Sequence, residues 1–160
     1  ISDHGSGFDL GQRALQVMAG LIDGLQGPTI LTDMLRDEFE LPTSRDDLVA
    51  WVYFEGRKPN ASATLAPYVL KAAEAGDAQA MDFIEDSASK LVEYYTALCA
   101  HLDMTSAPVL FTGGLLFDGS PYAHTLMARL GLEAYPAPLQ PPVAGAARVA
   151  KLAIDARTTQ

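Results

Sequence analysis

The stretch that most constrains the fold is residues 108–116, with the sequence PVLFTGGLL. Apolar and β-branched residues continue as far as Thr112, and Gly113 and Gly114 then break the pattern before a helix signal begins. This order predicts a buried β-strand that ends in a glycine turn, where a backbone can approach a ligand without interference from a Cβ atom. Because ligands in open α/β folds bind beyond the carboxyl ends of the strands, we expect a ligand at this turn.

Most of the remaining chain carries apolar residues at helical spacing, which predicts seven helices. Their approximate ranges are 8–24, 29–39, 44–56, 60–76, 77–102, 120–130 and 143–156. Ser44, Asp77 and Ser120 are the predicted N-caps, and a proline follows Ser120 where the first helical turn tolerates it. A second short strand is predicted at 132–135. Since a two-stranded sheet is marginal by itself, we expect further strands upstream of residue 1.

The charge balance limits the partners of the chain. The 160 residues carry 20 acidic and 11 basic side chains, a formal net charge of −9. Nucleic acids and anionic membranes need clustered Lys and Arg, so neither is expected as a partner. No apolar run approaches the ~20 residues of a membrane span, and no signal peptide precedes the first helix, so a cytoplasmic location is expected. The chain begins with Ile1 in place of Met and enters a glycine loop, which suggests a piece of a longer protein.

Two candidate ligand sites lie in glycine-containing loops. In the loop at 1–7, Asp3 could accept hydrogen bonds from ligand hydroxyls, and the amides of Gly5 and Gly7 could face a polar group. The alternative is a frayed terminus in which Ser6 merely caps the first helix, and without further context this alternative is favoured. The paired glycines at 113–114 either let a nucleotide approach or form a tight turn that needs a positive φ.

Two further candidates are runs of small residues. The run at 61–64, which contains Ala63, could leave room for a flat ring such as a purine, although such runs more often reflect close packing. The run at 141–147 suits a helix that crosses close to another backbone. A zinc site is not expected, because the three histidines are widely scattered. The single cysteine, Cys99, excludes an internal disulfide and is expected to be a small core residue.

Taken in order, these four places resemble the C-terminal part of the N-acetylglucosamine kinase and BadF/BadG/BcrA/BcrD ATPase family. The matching motifs are SDHGSGF at 2–8, AEAGD at 73–77, a strand ending in GGL at 108–115, and PPVAGAA at 141–147. The resemblance covers nearly the whole chain. It departs from the family at Ser2 and His4, where the family usually has Gly and Glu, and this leaves the sugar preference open.

The resemblance implies a fold class and a domain organisation. The fold would be α/β and helix-rich, the C-terminal lobe of an actin-like (RNase H-like) ATPase fold with part of its sheet missing upstream. Residues 1–160 would form one such lobe, incomplete at its N-terminus, and the last helix would be a connector between the two lobes.

The resemblance also implies a function and its site residues. The full-length protein would be an ATP-dependent kinase that phosphorylates an amino sugar, N-acetylglucosamine or glucosamine. Asp3 would bind sugar hydroxyls, Ala63 would lie against adenine, and Gly113 and Gly114 would form the adenosine loop. The catalytic base, the phosphate loops and the ligands of Mg would lie upstream, so this chain alone would be inactive. A homodimer is allowed.

Two other functions stay open. One is an ATPase activator of the BadF type, which would need cysteines for an iron–sulfur cluster at a subunit interface, and Cys99 alone makes this a weak alternative. The other is a non-catalytic helical module that binds a protein partner, which an acidic, helix-rich chain without catalytic groups would suit.

Overall fold

The computed structural model describes residues 3–53 and 61–158, except for the side chains of residues 153 and 155–158. Seven α-helices lie in these ranges, with one short 3₁₀ segment. They are α1 (Gly7–Ile22), α2 (Ile30–Asp37), α3 (Arg45–Tyr53), the 3₁₀ segment (Ala61–Leu65), α4 (Ala66–Glu74), α5 (Ala78–His101), α6 (Pro121–Leu130) and α7 (Pro142–Thr158). The helix-rich character expected from the sequence is confirmed. Ser2 and Asn60, which fall in predicted elements, lie outside the described residues.

The helix boundaries follow from the capping residues. The Ser120 hydroxyl accepts a hydrogen bond from the Ala123 amide at 3.0 Å, and Pro121 occupies the first turn of α6. The same helix ends at Gly131, whose φ of 67° is left-handed, a conformation that glycine adopts at low cost. Ser44 caps α3 in the same way through the Asp47 amide, at 3.2 Å. Each of these signals was local in the sequence, and each predicted cap is confirmed.

Helix α1 is the central element of the core, because it contacts the 3₁₀ segment, α2, α3, α4 and α5. Its buried residues are Leu10, Gly11, Ala14, Leu15, Val17 and Met18. The closest approach is at Gly11, where a Cβ atom would overlap the backbone carbonyl of Ser62. Gln12 strengthens this contact, because its side-chain amide donates to the Ser62 hydroxyl at 2.7 Å. A glycine at position 11 is therefore required for the 3₁₀ segment to lie against α1.

Asp77 joins the beginnings of two helices. One carboxylate oxygen accepts from the Ala80 amide at 3.0 Å and caps α5, and the other accepts from the Leu31 amide at 2.8 Å in the first turn of α2. The residue is only 4% exposed. Burial alone would raise the pKa of this carboxyl, but its hydrogen bonds, chiefly those from the Ala80 and Leu31 amides, together outweigh burial and hold the pKa below its ordinary value. Asp77 is therefore a buried anion that two helices share.

The predicted strands at 108–112 and 132–135 are wrong, because no strand is present among the described residues. The two segments nevertheless lie side by side. The Phe111 amide donates to the Pro136 carbonyl at 3.0 Å, and the rings of Phe111 and Tyr135 meet edge to face at 5.8 Å. A ladder needs repeated backbone bonds along both segments, and a single bond does not make one. Over its described residues the fold is all-helical, which corrects the α/β class.

The last helix, α7, is the least buried part of the fold. Its side chains at Val143, Val149 and Leu152 are 74%, 68% and 62% exposed. The small-residue run was expected to cross close to another backbone, and the described residues provide no such neighbour for these three positions. None of the described helices is long and apolar enough to cross a membrane.

One buried residue lies away from the main core. Cys99, near the end of α5, is 6% exposed, as expected for a small buried residue. The contiguous core includes α5 residues only as far as Val92. The last turns of α5 therefore contain a buried free thiol that lies outside the contiguous core.

Candidate functional site

From Gly5 onward the loop before α1 is held in place by hydrogen bonds, and Ser6 caps the helix as the alternative predicted. The Gly5 amide donates to the Asp9 carboxylate at 2.9 Å, and the Ser6 amide donates to the Asp3 carbonyl at 3.2 Å. Ser6 also caps α1, since its hydroxyl accepts from the Asp9 amide at 3.1 Å. Asp3 itself is exposed. The geometry leaves its carboxylate available to a ligand.

A buried tyrosine ties this loop to α6. The Tyr122 hydroxyl donates to the Gly5 carbonyl at 3.0 Å, and the tyrosine is fully buried. Gly5 has a φ of 78°, and a Cβ atom there would overlap the tyrosine oxygen. Burial raises the pKa of the Tyr122 hydroxyl to about 12, so the group stays protonated and remains a donor at any physiological pH.

Ala63 lies in the 3₁₀ segment beside the same loop. A Cβ atom on Gly7 would lie 3.5 Å from the Cβ of Ala63, an ordinary van der Waals contact. The small side chains at both positions therefore let the segment approach the start of α1. This contact fits the packing alternative, and the contact of Ala63 with adenine remains a prediction.

The glycine loop at 113–114 has a different character. Both glycines are exposed, and apart from the glycine and its two chain neighbours no described residue comes within 4 Å of the place where either Cβ would be. Gly113 has a φ of 108°, so the turn itself accounts for this glycine, as the alternative predicted. Gly114 has no positive φ, so neither the turn nor packing by the described residues requires it.

The glycine loop is also hydrogen-bonded to Ser120, the residue immediately before α6. The Ser120 hydroxyl donates to the Leu115 carbonyl at 2.8 Å, and the Tyr135 hydroxyl donates to the Leu116 carbonyl at 2.6 Å. The start of α6 therefore carries one hydrogen bond to the glycine loop and, two residues later at Tyr122, one to the Asp3 loop. The structure connects both predicted ligand loops to one helix end.

A separate cleft lies elsewhere on the molecule. It has a volume of about 270 Å³ between α4, α5 and α6, and none of the predicted site residues lines it. Its lining residues are Ala73, Met81, Asp82, Ile84, Glu85, Pro121 and Thr125. Among the residues that the structure describes, no three His, Cys, Asp or Glu side chains are grouped so that they could hold a metal ion.

Sequence reasoning did not find Tyr122 or Gly11. Tyr122 carried one local signal, since it is an aromatic residue in the first turn of the helix that follows the glycine loop. Gly11 carried none, because a glycine inside an apolar helix pattern does not indicate which backbone it contacts.

Comparison with known proteins shows the general class of enzyme to which the chain is similar. No protein-family model matches the chain. The chain is similar to sugar kinases, over most of its own length but less than half of theirs.

Two similar proteins indicate a narrower class, because both carry the name N-acetylglucosamine kinase. The chain is 25% identical over 140 residues, 85% of its length, to an N-acetyl-D-glucosamine kinase of Dictyostelium discoideum, and it spans 43% of that protein. It also matches the crystal structure of a candidate N-acetylglucosamine kinase from Chromobacterium violaceum, with a TM-score of 0.62 and 26% identity. That match covers 84% of this chain and 44% of the other. The resemblance predicted from the four motifs is confirmed, and the matches support a C-terminal portion of such a kinase.

Proposed function

We propose that the chain is the C-terminal portion of an ATP-dependent amino-sugar kinase, which transfers the γ-phosphoryl group of ATP to a hydroxyl of N-acetylglucosamine or glucosamine. The observation that carries the proposal is the similarity over 140 residues to a protein named N-acetyl-D-glucosamine kinase. The actin-like lobe, with its sheet supplied by residues upstream of this chain, is part of the proposal. So is the role of α7 as a connector.

Asp3 is the proposed sugar-binding residue. Asp3 is exposed, and a carboxylate can accept hydrogen bonds from sugar hydroxyls. Such charge-assisted bonds are among the stronger ones that a protein can offer a neutral sugar.

Gly113, Gly114 and Ala63 are the proposed nucleotide contacts. The open space beside Gly114 supports this role, because the described residues leave the position unfilled although the backbone there would tolerate a side chain. Ala63 contributes a small apolar surface of the kind on which a purine can lie.

Phosphoryl transfer depends mainly on positioning the two substrates and neutralising charge on the transferred group. In this proposal the present residues hold the sugar and the adenosine. The catalytic base, the phosphate loops and the ligands of Mg belong to residues outside this chain, so the chain by itself would not turn over. The cytoplasmic location and the homodimer stay predictions.

The test uses the complete gene product that contains this chain. ADP release is measured with N-acetylglucosamine, glucosamine and glucose, for the wild type and for Asp3→Ala. We expect turnover that depends on an amino sugar, and a loss of about 100-fold in kcat/KM in Asp3→Ala, because about two charge-assisted hydrogen bonds are removed. Asp46→Ala, which changes an exposed carboxylate in the first turn of α3, is the matched control and should keep full activity.

The outcomes separate the alternatives. ATP hydrolysis that no sugar stimulates would favour the ATPase activator, and the absence of both ATP hydrolysis and nucleotide binding would favour the protein-binding module. Full activity in Asp3→Ala would remove Asp3 from the sugar site.

A further inference from the structure

The beginning of α6 is the place where the two predicted ligand loops meet the core. Ser120, the N-cap, reaches the glycine loop through the Leu115 carbonyl at 2.8 Å. Tyr122, two residues later, reaches the Asp3 loop through the Gly5 carbonyl at 3.0 Å. The two loops are separated by more than 100 residues in sequence, yet each is one hydrogen bond away from the same helical turn.

This turn is a stiff connection. Both Ser120 and Tyr122 are completely buried. The Ser120 hydroxyl also accepts from the Ala123 amide, so its position is fixed relative to the helix axis. Helix α6 packs on α4 and α5, and Arg129 near its far end pairs with Glu85 of α5. The two hydroxyls therefore belong to buried side chains on one helical turn, and a displacement of that turn would move both hydrogen bonds together.

We infer that Tyr122 is a positioning residue that couples the two loops, so that a nucleotide bound at the glycine loop favours the sugar-binding arrangement of the Asp3 loop. The inference rests on the proposed function for the identity of the two ligands. A nucleotide that shifts the glycine loop also shifts the stiff first turn of α6, because Ser120 is bonded to the Leu115 carbonyl. The Tyr122 hydroxyl carries this shift to the Gly5 carbonyl, so the Asp3 loop already has its sugar-binding arrangement when the sugar binds, and the two ligands bind with positive cooperativity.

The effect must be reciprocal, because the coupling free energy belongs to both ligands. Because the Tyr122 hydroxyl is the proposed link to Gly5, its removal should weaken the effect of each ligand on the other. The change removes no atom that touches either ligand. Tyr122→Phe keeps the buried ring, and with it the packing of α6 against the core, and deletes the donor to Gly5. It also removes the hydroxyl that lies beside the buried Ser87 side chain of α5.

The experiment measures N-acetylglucosamine affinity by calorimetry in the complete gene product, with and without a saturating non-hydrolysable ATP analogue. In the wild type we expect the analogue to tighten sugar binding by about two- to tenfold, the range that one neutral hydrogen bond can transmit. In Tyr122→Phe the ratio of the two affinities should fall to about one.

A second tyrosine provides the matched control. The Tyr95 hydroxyl donates to the Ala107 carbonyl at 2.9 Å and accepts from its amide at 3.0 Å, but it touches neither ligand loop. Tyr95→Phe should keep the wild-type ratio. Hydrogen exchange gives an independent measurement, since the analogue should protect the amides of residues 3–7 in the wild type and in Tyr95→Phe, but not in Tyr122→Phe.

Each result decides something different. A wild type that binds both ligands independently, or a Tyr122→Phe variant that keeps the wild-type ratio, overturns the coupling and leaves the proposed function in place. Loss of the ratio in Tyr95→Phe also overturns it, because any lost tyrosine hydroxyl would then suffice. A wild type that binds neither nucleotide nor sugar overturns the proposed function, and the coupling with it.

Discussion

Two groups of glycines in this molecule have opposite surroundings. Around the start of α1, Gly5 and Gly11 lie so close to other parts of the chain that a Cβ atom on either would overlap Tyr122 or Ser62. At Gly113 and Gly114, apart from the glycine and its two chain neighbours, no described residue comes within 4 Å of the corresponding position. The first group is explained by the way this chain packs on itself, whereas Gly114 is explained by nothing that the structure describes.

This difference shows where function should be sought. A residue that the fold requires says little about a ligand, because packing already accounts for it. A small residue in open space is a better candidate where its loop is also tied to a buried helix end. Gly27 and Gly145 share the open surroundings of Gly114 and also lack a positive φ, so the bond from Ser120 to the glycine loop is what distinguishes Gly114. By this criterion Gly114 is a stronger candidate than Ala63, whose small side chain the contact with Gly7 already explains.

The largest expected effect comes from filling the packed position. Gly11→Ala should destabilise the fold by about 3 kcal/mol, since the new methyl group meets backbone atoms of Ser62 that cannot rotate away. Urea unfolding followed by circular dichroism measures the change. Gly7→Ala is the control, because its methyl group would make only an ordinary contact, and its stability should stay within about 1 kcal/mol of the wild type. A Gly11→Ala protein as stable as the control would show that α1 and the 3₁₀ segment are not in tight contact.

The close packing of the core can also be disrupted at Asp77, the buried anion that α2 and α5 share. Asp77→Ala should cost about 2 kcal/mol, because two buried amides lose their acceptor. The folded pKa is depressed, so this stabilisation is fully present above the ordinary pKa of 3.8 and is lost as the pH falls through the lower folded value. Unfolding free energies measured from pH 6 to pH 2 should therefore fall less steeply in Asp77→Asn, which removes the titrating group. An identical pH profile in both proteins would contradict the depressed pKa.

The open surroundings of the glycine loop are tested with separate substitutions at Gly113 and Gly114. Gly113→Ala should cost about 1 kcal/mol of stability, because a φ of 108° is strained for alanine, whereas Gly114→Ala should change stability by less than about 0.5 kcal/mol. If the open space receives a nucleotide, Gly114→Ala should nevertheless weaken ATP-analogue binding by about tenfold in the complete gene product. Unchanged nucleotide affinity would leave Gly114 without an explanation and would remove it from the site.

The sequence was informative where the physics is local. Caps such as Ser44 and Ser120 depend on residues within one turn, so their pattern predicted the helices that follow. The strand at 108–112 was wrong because a strand needs a partner, and local apolar patterning cannot show whether that partner is present. The segment did find its neighbour, since Phe111 bonds to the Pro136 carbonyl, but only once.

The candidate site shows the same division. Asp3 and the glycine pair could be singled out from loop chemistry and from the resemblance. The bond from Tyr122 to Gly5 joins residues 117 positions apart, and no periodicity or cap signal reports a contact over that separation. The part of the site that depends on long-range geometry could be recognised only after the chain was folded.

The buried thiol near the end of α5 has a practical consequence. Cys99 is the only cysteine of the chain and is 6% exposed, so a reagent such as a maleimide labels the folded protein mainly when a local opening near the end of α5 uncovers the thiol. Because local openings cost less free energy than global unfolding, the labelling rate would follow the opening of this end of the helix alone. The labelling rate of this single thiol would thus measure how often one end of α5 opens locally.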